Sequence, residues 1–362
     1  MSEPVATTAM PSNTELGDST IFHHVAVPGG PMPKPVIRFS ELIPQDIAAV
    51  LRTCWDAQHD ERAITFHLLK NVYVVGEGLV FDQDLNLIVD SIAQNDAALI
   101  QLGFKQLSEG VREGTVPYQR GTTLLCGKIG MSNYGHWLVE MLPIAMLSLY
   151  WIERKLWRVF LPTIYSWMKD VITDSLGLLG IGSDDCILGD GGPRRFEELV
   201  FVTNLSFHGH FYAPVGVECL RIIGQSIVSG PACPVWVSRV GERRSLESEA
   251  ALCEALEEVG WSVMRPGTLT LRQQIAVAKG ATHMAGVSGA GLTNAAFMQP
   301  GNRVTSFTPA QMPDIFYWHL AVHGGLEFRE VRCRTESAPA WHIPWDGALK
   351  LSIQEVFAQL NE

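Results

Sequence analysis

The sequence predicts an α/β protein of two domains whose C-terminal half is built on a parallel sheet covered on both faces. Three observations carry this. From Val235 onward, short apolar strands alternate with amphipathic helices at the spacing of strand–helix–strand units. The 362 residues exceed what one hydrophobic core usually organises. Apolar residues make up 47% of the chain and charged residues 18%, so large cores can be buried and a mainly disordered chain is excluded.

The elements follow in order. Residues 1–35 are rich in Pro, Ser, Thr and Gly without an apolar period, and read as a flexible N-terminal arm. Residues 42–52 carry a helical pattern. Residues 71–90 alternate apolar and polar positions around Gly and Asp turns, the signature of a β-meander. Leu124 and Leu125 end a further strand. The stretch from Asn133 to Leu156 opens as a helix, which Pro143 kinks or restarts. Residues 159–162 read as a strand, 164–179 as a helix and 198–202 as a strand. Ser229-Gly230-Pro231 and Pro234 separate the halves. Beyond them come strands at 235–238, 261–265, 282–287 and 303–307. Helices at 246–259, 271–279 and 292–298 alternate with these strands, and a last helical pattern at 351–360 packs back on either half. The domain limits drawn from this are 36–230, 231–335 and a C-terminal segment 336–362.

Charge and composition narrow the partners. Lys+Arg 27 against Asp+Glu 38 gives −11, which excludes a nucleic-acid-coating role. An anionic ligand needs a local basic pocket working against that global field. The 7 cysteines are scattered with no C-x-x-C pair, as expected of reduced thiols. Cys54, Cys219 and Cys253 sit in apolar helical patterns as small core residues. The first twenty residues lack a basic region followed by an apolar one, so no signal peptide is read there. The longest apolar stretch, Met141–Ile152, falls short of the roughly 20 residues that cross a bilayer. The chain is accordingly expected in the cytoplasm. Its 10 tryptophans and mean hydropathy of +0.12 permit, without requiring, peripheral membrane association.

Three constellations can carry chemistry. The first is an apolar strand feeding Ser288-Gly289-Ala290-Gly291-Leu292-Thr293-Asn294, where glycines let an oxyanion approach backbone amides at a helix start. A tight turn with no ligand explains it equally well on its own. Its G-x-x-G-x-G spacing is not the dinucleotide fingerprint. The second is Val237-Ser238-Arg239 with Arg243 and Arg244, a strand end followed by guanidinium forks that suit phosphate. The competing view is a solvated loop paired with Glu242, Glu247 or Glu249. The third is Asn133-x-x-His136-x-x-x-Glu140, which puts His136 and Glu140 on one helix face. A carboxylate beside an imidazole can act as a general base, and a surface ion pair is the plainer alternative. No metal site is read. H-E-x-x-H is absent, His208 and His210 lack carboxylate or cysteine partners, and Asp82-x-Asp84-x-Asn86 does not continue as a calcium loop.

In this order the segments resemble glycosyltransferase family 61. Asn133, His136 and Glu140 match its Asn-x-x-His-x-x-x-Asp/Glu helix. Ser238, Arg239, Arg244, Leu246 and Glu249 match its Ser-Arg stretch with one residue inserted, and Ser248 stands where Asn is usual. Leu269–Ile275, with Gln274, match a Leu-Ser-Leu-x-x-Gln-Ile helix. Gly289–Asn294 match the final turn, Phe297 sits at the following Phe, and Tyr317-Trp318-x-Leu320 is a looser match beyond. Ser288 replaces the family's His, and Ser306 stands where a Glu commonly meets the nucleoside ribose.

The resemblance implies a GT-B architecture, with two Rossmann-like domains facing across a cleft and the acceptor on the N-terminal one. It implies inverting transfer from a nucleotide sugar, usually UDP-linked, to a glycan or lipid-linked glycan. No cofactor or metal is called for when basic residues and helix dipoles hold the diphosphate. Its bacterial members point to capsular or surface polysaccharide synthesis. On this reading Arg239, Arg244 and the amides around Gly289–Leu292 hold the diphosphate. Glu140 deprotonates the acceptor, His136 orients it, and Thr293, Asn294 and Ser306 contact the nucleoside. Asn133, Arg243 and Gln274 are further candidates. The rival is a module on the same fold that binds nucleotide or glycan without turnover.

Overall fold

The computed structural model describes residues 10–16, 19–59, 61–92, 96–207, 209–336, 343 and 345–361. The expectations for residues 1–9 and 17–18 of the arm, and for His208, fall outside these. The chain forms two compact units, one of residues 1–27 and 62–208, the other of 28–61 and 209–362.

The first unit is built on a nine-stranded mixed sheet. Its long central strand, Arg62–Val75, pairs antiparallel with Arg194–Thr203 and with Leu79–Phe81, which in turn pairs with Leu87–Ile88. This is the expected meander. Its second turn is closed by Asp82, whose Oδ1 accepts the amides of Asp84 at 2.9 Å and Asn86 at 2.8 Å. The strands Arg194–Thr203, Tyr118–Leu125, Arg158–Leu161 and Cys186–Leu188 lie side by side and parallel. The run Arg62–Val75, Leu79–Phe81 and Leu87–Ile88 is hairpin-connected, and its tight turns force antiparallel pairing. The unit differs in this from an all-parallel Rossmann sheet. The arm also differs from a flexible tail, because Thr20–Val27 pairs antiparallel along Arg62–Leu68. Only Val27 of that strand is buried, so it offers the sequence no apolar alternation.

A helix over Ala97–Glu113 covers Leu79, Phe81 and Leu87 with Ile100 and Leu107. The segment after Asn133 is helical throughout. It is α over Tyr134–His136, widens to a π turn over Trp137–Met141, and is α again over Leu142–Leu147. Pro143 has no N–H and its ring crowds the carbonyl four residues back, so the widened turn is where the chain absorbs it. The helix expected over 164–179 begins only at Lys169. Residues 163–168 instead form a turn at the end of the strand Arg158–Leu161.

The second unit is a six-stranded, wholly parallel sheet. Its order is Ser262–Met264, Cys233–Val237, Ala281–Val287, Arg303–Pro309, Glu327–Cys333 and Val36–Arg38. The first five give the doubly wound order 2-1-3-4-5. Residues 36–61, drawn from sequence with the N-terminal domain, pack here instead. Val36–Arg38 extends the sheet edge beside Glu327–Cys333, and Leu51 and Cys54 of the helix Gln45–Trp55 bury against Ile315 and Trp318. The C-terminal helix Ile353–Asn361 also belongs to this unit, with Val356 and Leu360 in a core shared with Trp236, Leu252, Ala285 and Phe307.

Candidate functional site

In the second unit the strand order reverses between Cys233–Val237 and Ala281–Val287. In such sheets ligands bind outside the carboxyl ends of the two strands at that reversal. The loops leaving those ends are the ones that carry Arg239 and the glycine turn. Glu249, buried at the first position of its helix, anchors the first loop by accepting the Arg239 amide at 2.6 Å, the Trp236 indole at 3.1 Å and the Leu246 amide.

The Arg239 side chain then folds along its own loop. Its Nη2 donates to the Arg243 carbonyl at 2.6 Å and its Nε to the Arg244 carbonyl at 3.3 Å. Its guanidinium packs against Gly289. A Cβ at 289 would fall 1.8 Å from Nη1, so only glycine leaves room for the arginine. Burial lowers the Arg239 pKa below its ordinary value, with Tyr317 and two glutamates opposing. Among the described residues no carboxylate forms an ion pair with it.

Arg244 reaches the same turn. Its Nη1 donates to the Ser288 carbonyl at 3.1 Å, and its Nη2 pairs with Asp346 at 3.2 Å. Arg243 is exposed and pairs with the other Asp346 oxygen. Tyr317 closes the cluster from beneath, because its phenol oxygen accepts the Gly289 amide. Burial raises that phenol far above its usual value, Asp314 adds to the rise, and Arg239 and Arg244 oppose it. The turn leads into a 3₁₀ helix over Ala290–Phe297. Gly289, Ala290 and Gly291 are partly exposed there, whereas Leu292, Thr293 and Asn294 are buried. Asn294 donates to the Gly291 carbonyl and to Gln274 Oε1, both at 2.9 Å, so Gln274 and Asn294 brace the turn from inside. Ser288 and Ser306 are fully buried, and Ser306 bonds Thr308 at 3.0 Å. Thr293, Asn294 and Ser306, the expected nucleoside contacts, are thus all buried.

The first unit carries the other cluster. Asn133 caps its helix, with Oδ1 accepting the Gly135 amide at 2.8 Å and that of His136 at 3.4 Å. His136 Nδ1 meets Glu140 Oε1, while Lys128 and Ser206 both bind Oε2. Lys128 also donates to Ser206 at 2.7 Å. Burial alone would raise the Glu140 carboxyl. The Lys128 ammonium and the His136 ring overcome it and hold the acid well below the usual carboxylate range. The Glu140 side chain is 0% exposed, that of His136 17% and that of Lys128 21%, so a group arriving from solvent meets the imidazole or the ammonium and not the carboxylate. Lys128 and Ser206 come from distant segments and carry no local sequence signal; Asp346 and Met312, which contacts Arg244 and Ser288, escape sequence reasoning for the same reason.

Residues 134–305 match the family model of glycosyltransferase 61. The match supports a glycosyltransferase, with a sugar donor and an acceptor as its substrates. No curated protein matches the chain significantly. The glycosyltransferase 61 match runs from the residue after the Asn133 cap to the strand after the glycine turn, and so spans His136, Glu140, Arg239, Arg244 and Gly289. Lys128, Tyr317 and Asp346, which complete the two clusters, lie beyond its limits. Among the described residues no helix is long and apolar enough to cross a membrane.

Proposed function

We propose that the protein is an inverting glycosyltransferase of GT-B type that moves a sugar from a UDP-linked donor to a hydroxyl of a glycan acceptor, in surface polysaccharide synthesis. The observation that carries this reading is the packing of Arg239 against Gly289 at the strand-order reversal of a parallel sheet. A guanidinium, a second arginine and partly exposed amides at a helix start converge there, which is what a diphosphate needs. As the bond between the anomeric carbon and the diphosphate breaks, negative charge grows on the departing oxygen. Arg239 and the amides of Ala290 and Gly291 stabilise it without reorganising.

We assign the acceptor proton to His136 rather than to Glu140. Glu140 is sealed behind Lys128, Ser206 and the imidazole, and its carboxyl is held ionised and weakly basic. It serves as the group that fixes the ring through Nδ1, the part a buried carboxylate plays behind a catalytic histidine. The acceptor O–H gives its proton to the imidazole while its oxygen forms the new bond on the face opposite the diphosphate. Thermal melting against UDP, ADP, GDP, CMP and UDP-sugars tests the reading. A uridine nucleotide at a hundred times its Kd should stabilise the protein by about 2.7 kcal/mol. No shift with any nucleotide contradicts it.

A further inference from the structure

In the first unit, beside the His136–Glu140 cluster, stands an indole that the folding of the unit does not explain. Trp167 is 65% exposed, whereas Trp137 and Trp157 of the same unit are buried. It is nonetheless held at two points. Its Nε1 donates to the Ser132 carbonyl at 3.1 Å, and one face stacks on Tyr165 with centroids 4.8 Å apart and planes at 28°. Tyr165 is fixed in turn, since its hydroxyl donates to Glu77 Oε1 while Glu77 Oε2 accepts the Gly130 amide at 2.6 Å. Burial, that hydrogen bond and the Glu77 charge push the Tyr165 phenol up to about 12, so it remains a donor throughout the neutral range. Thr163, at the start of the same turn, donates to the Gly76 carbonyl at 2.9 Å. Glu77 thereby ties the 163–167 turn to the loop that ends in Ser132 and Asn133, and Asn133 caps the helix of His136.

We propose that Trp167 is the stacking platform for a pyranose ring of the acceptor, and so a specificity-determining residue of the transfer reaction. The proposal rests on the reading of this site as a glycosyltransferase acceptor site. A ring with one face on Tyr165 and most of its surface in water offers its second face. That face carries the negative side of the aromatic quadrupole. A pyranose with axial C–H bonds on one side presents a complementary apolar, positively polarised surface, as β-gluco-, β-xylo- and β-galacto-configured sugars do. Such a contact selects sugars by the configuration of that face. Because the platform is tied to the loop that caps the His136 helix, a stacked ring is registered against the base. The aromatic surface is large and rigid at low entropic cost, which suits a weak, reversible substrate contact.

The test is calorimetric titration of the full-length protein, and of its Trp167→Ala and Trp167→Phe variants, with cellotetraose, xylotetraose, chitotetraose and lactose, with UDP titrated in parallel. Saturation-transfer NMR on the bound saccharide identifies which protons touch an aromatic ring. Wild type should bind at least one saccharide through its axial C–H protons. Trp167→Ala should weaken that binding about tenfold or more and Trp167→Phe by much less, at unchanged melting temperature. UDP affinity should be the same in all three proteins. Binding of no saccharide by wild type, or equal binding by Trp167→Ala, overturns the platform. Trp167-dependent saccharide binding without any UDP binding upholds it and removes the nucleotide-sugar reading instead. Trp167-dependent loss of UDP affinity overturns the acceptor assignment, because the indole then stacks on the donor base.

Discussion

A methyl group at position 289 distinguishes a structural glycine from a functional one. The backbone there is extended, so alanine is conformationally tolerated, and the atoms its Cβ meets are the far end of a flexible side chain. Gly289→Ala should therefore fold with a stability change of about 0.5 kcal/mol or less. Nucleotide affinity should fall about tenfold or more as Arg239 is pushed off the turn. Melting curves with nucleotide titrations check both halves. At the other cluster, Glu140→Gln keeps the size of the side chain but removes the charge that fixes His136 and neutralises Lys128. Turnover should fall by about 10²–10⁴ while nucleotide affinity is unchanged. Unaltered turnover in that variant would show that neither residue of the pair handles the acceptor proton. The candidates Asn133, His136, Glu140, Arg239 and Gly289 are legible because each sits in a short local pattern. Lys128, Ser206 and Asp346 are not, because nothing in their own neighbourhoods reveals the side chains they touch; Tyr317 falls in a loose pattern that does not report its contact with Gly289. The burial of Ser306, Thr293 and Asn294 depends on packing between elements, which motif spacing does not report.

At the scale of elements, the parallel strands of the second unit are the most legible part. Four of the six are short apolar runs between turn signals, which the sequence places to within a residue or two, whereas Glu327–Cys333, interrupted by Arg329, Glu330 and Arg332, and the three-residue edge strand Val36–Arg38 give no such signal. The helix Ala97–Glu113 escapes despite an Asp96 cap and a Gly114 terminator, since its exposed face carries Leu99 and Leu102 and blurs the period. The 163–168 turn reads as helix because its composition does not exclude one. The sheet also makes a pH prediction. His283 on Ala281–Val287 is in register with Arg303 and bonds Thr305, whose register partner is Arg329. Burial, then the charges of Arg303 and Arg329, push the imidazole down to about 4 from an ordinary 6.5. Its folded pKa thus lies below its unfolded one, so protonation favours the unfolded chain. The stability it contributes is complete above about pH 6.5 and is lost as the pH falls towards 4. His283→Gln, which can still bond Thr305, should flatten the fall in melting temperature between those two values. A variant that loses stability as steeply as wild type would place the acid sensitivity elsewhere.

Over the whole molecule, the sequence conveys two α/β units but not how the chain is shared between them. The boundary residues Pro231 and Pro234 look like a linker, yet the chain passes between units at 27–28, 61–62 and 208–209. Only packing reveals that 28–61 completes the second unit, because one strand and one helix carry no label of the core they join. Net charge acts at this scale too. In a chain of −11, Asp346 already pairs with Arg243 and Arg244, which leaves Arg239 as the cation of the turn that lacks a carboxylate partner among the described residues. A dianionic ligand attracted to this acidic protein must owe its affinity largely to that one side chain. Calorimetric titration of UDP into wild type and Arg239→Ala is the most direct measurement. The account predicts saturable binding to wild type and a loss of about 1.5–3 kcal/mol in the variant. Equal affinities in the two proteins, or no binding to wild type, would contradict it.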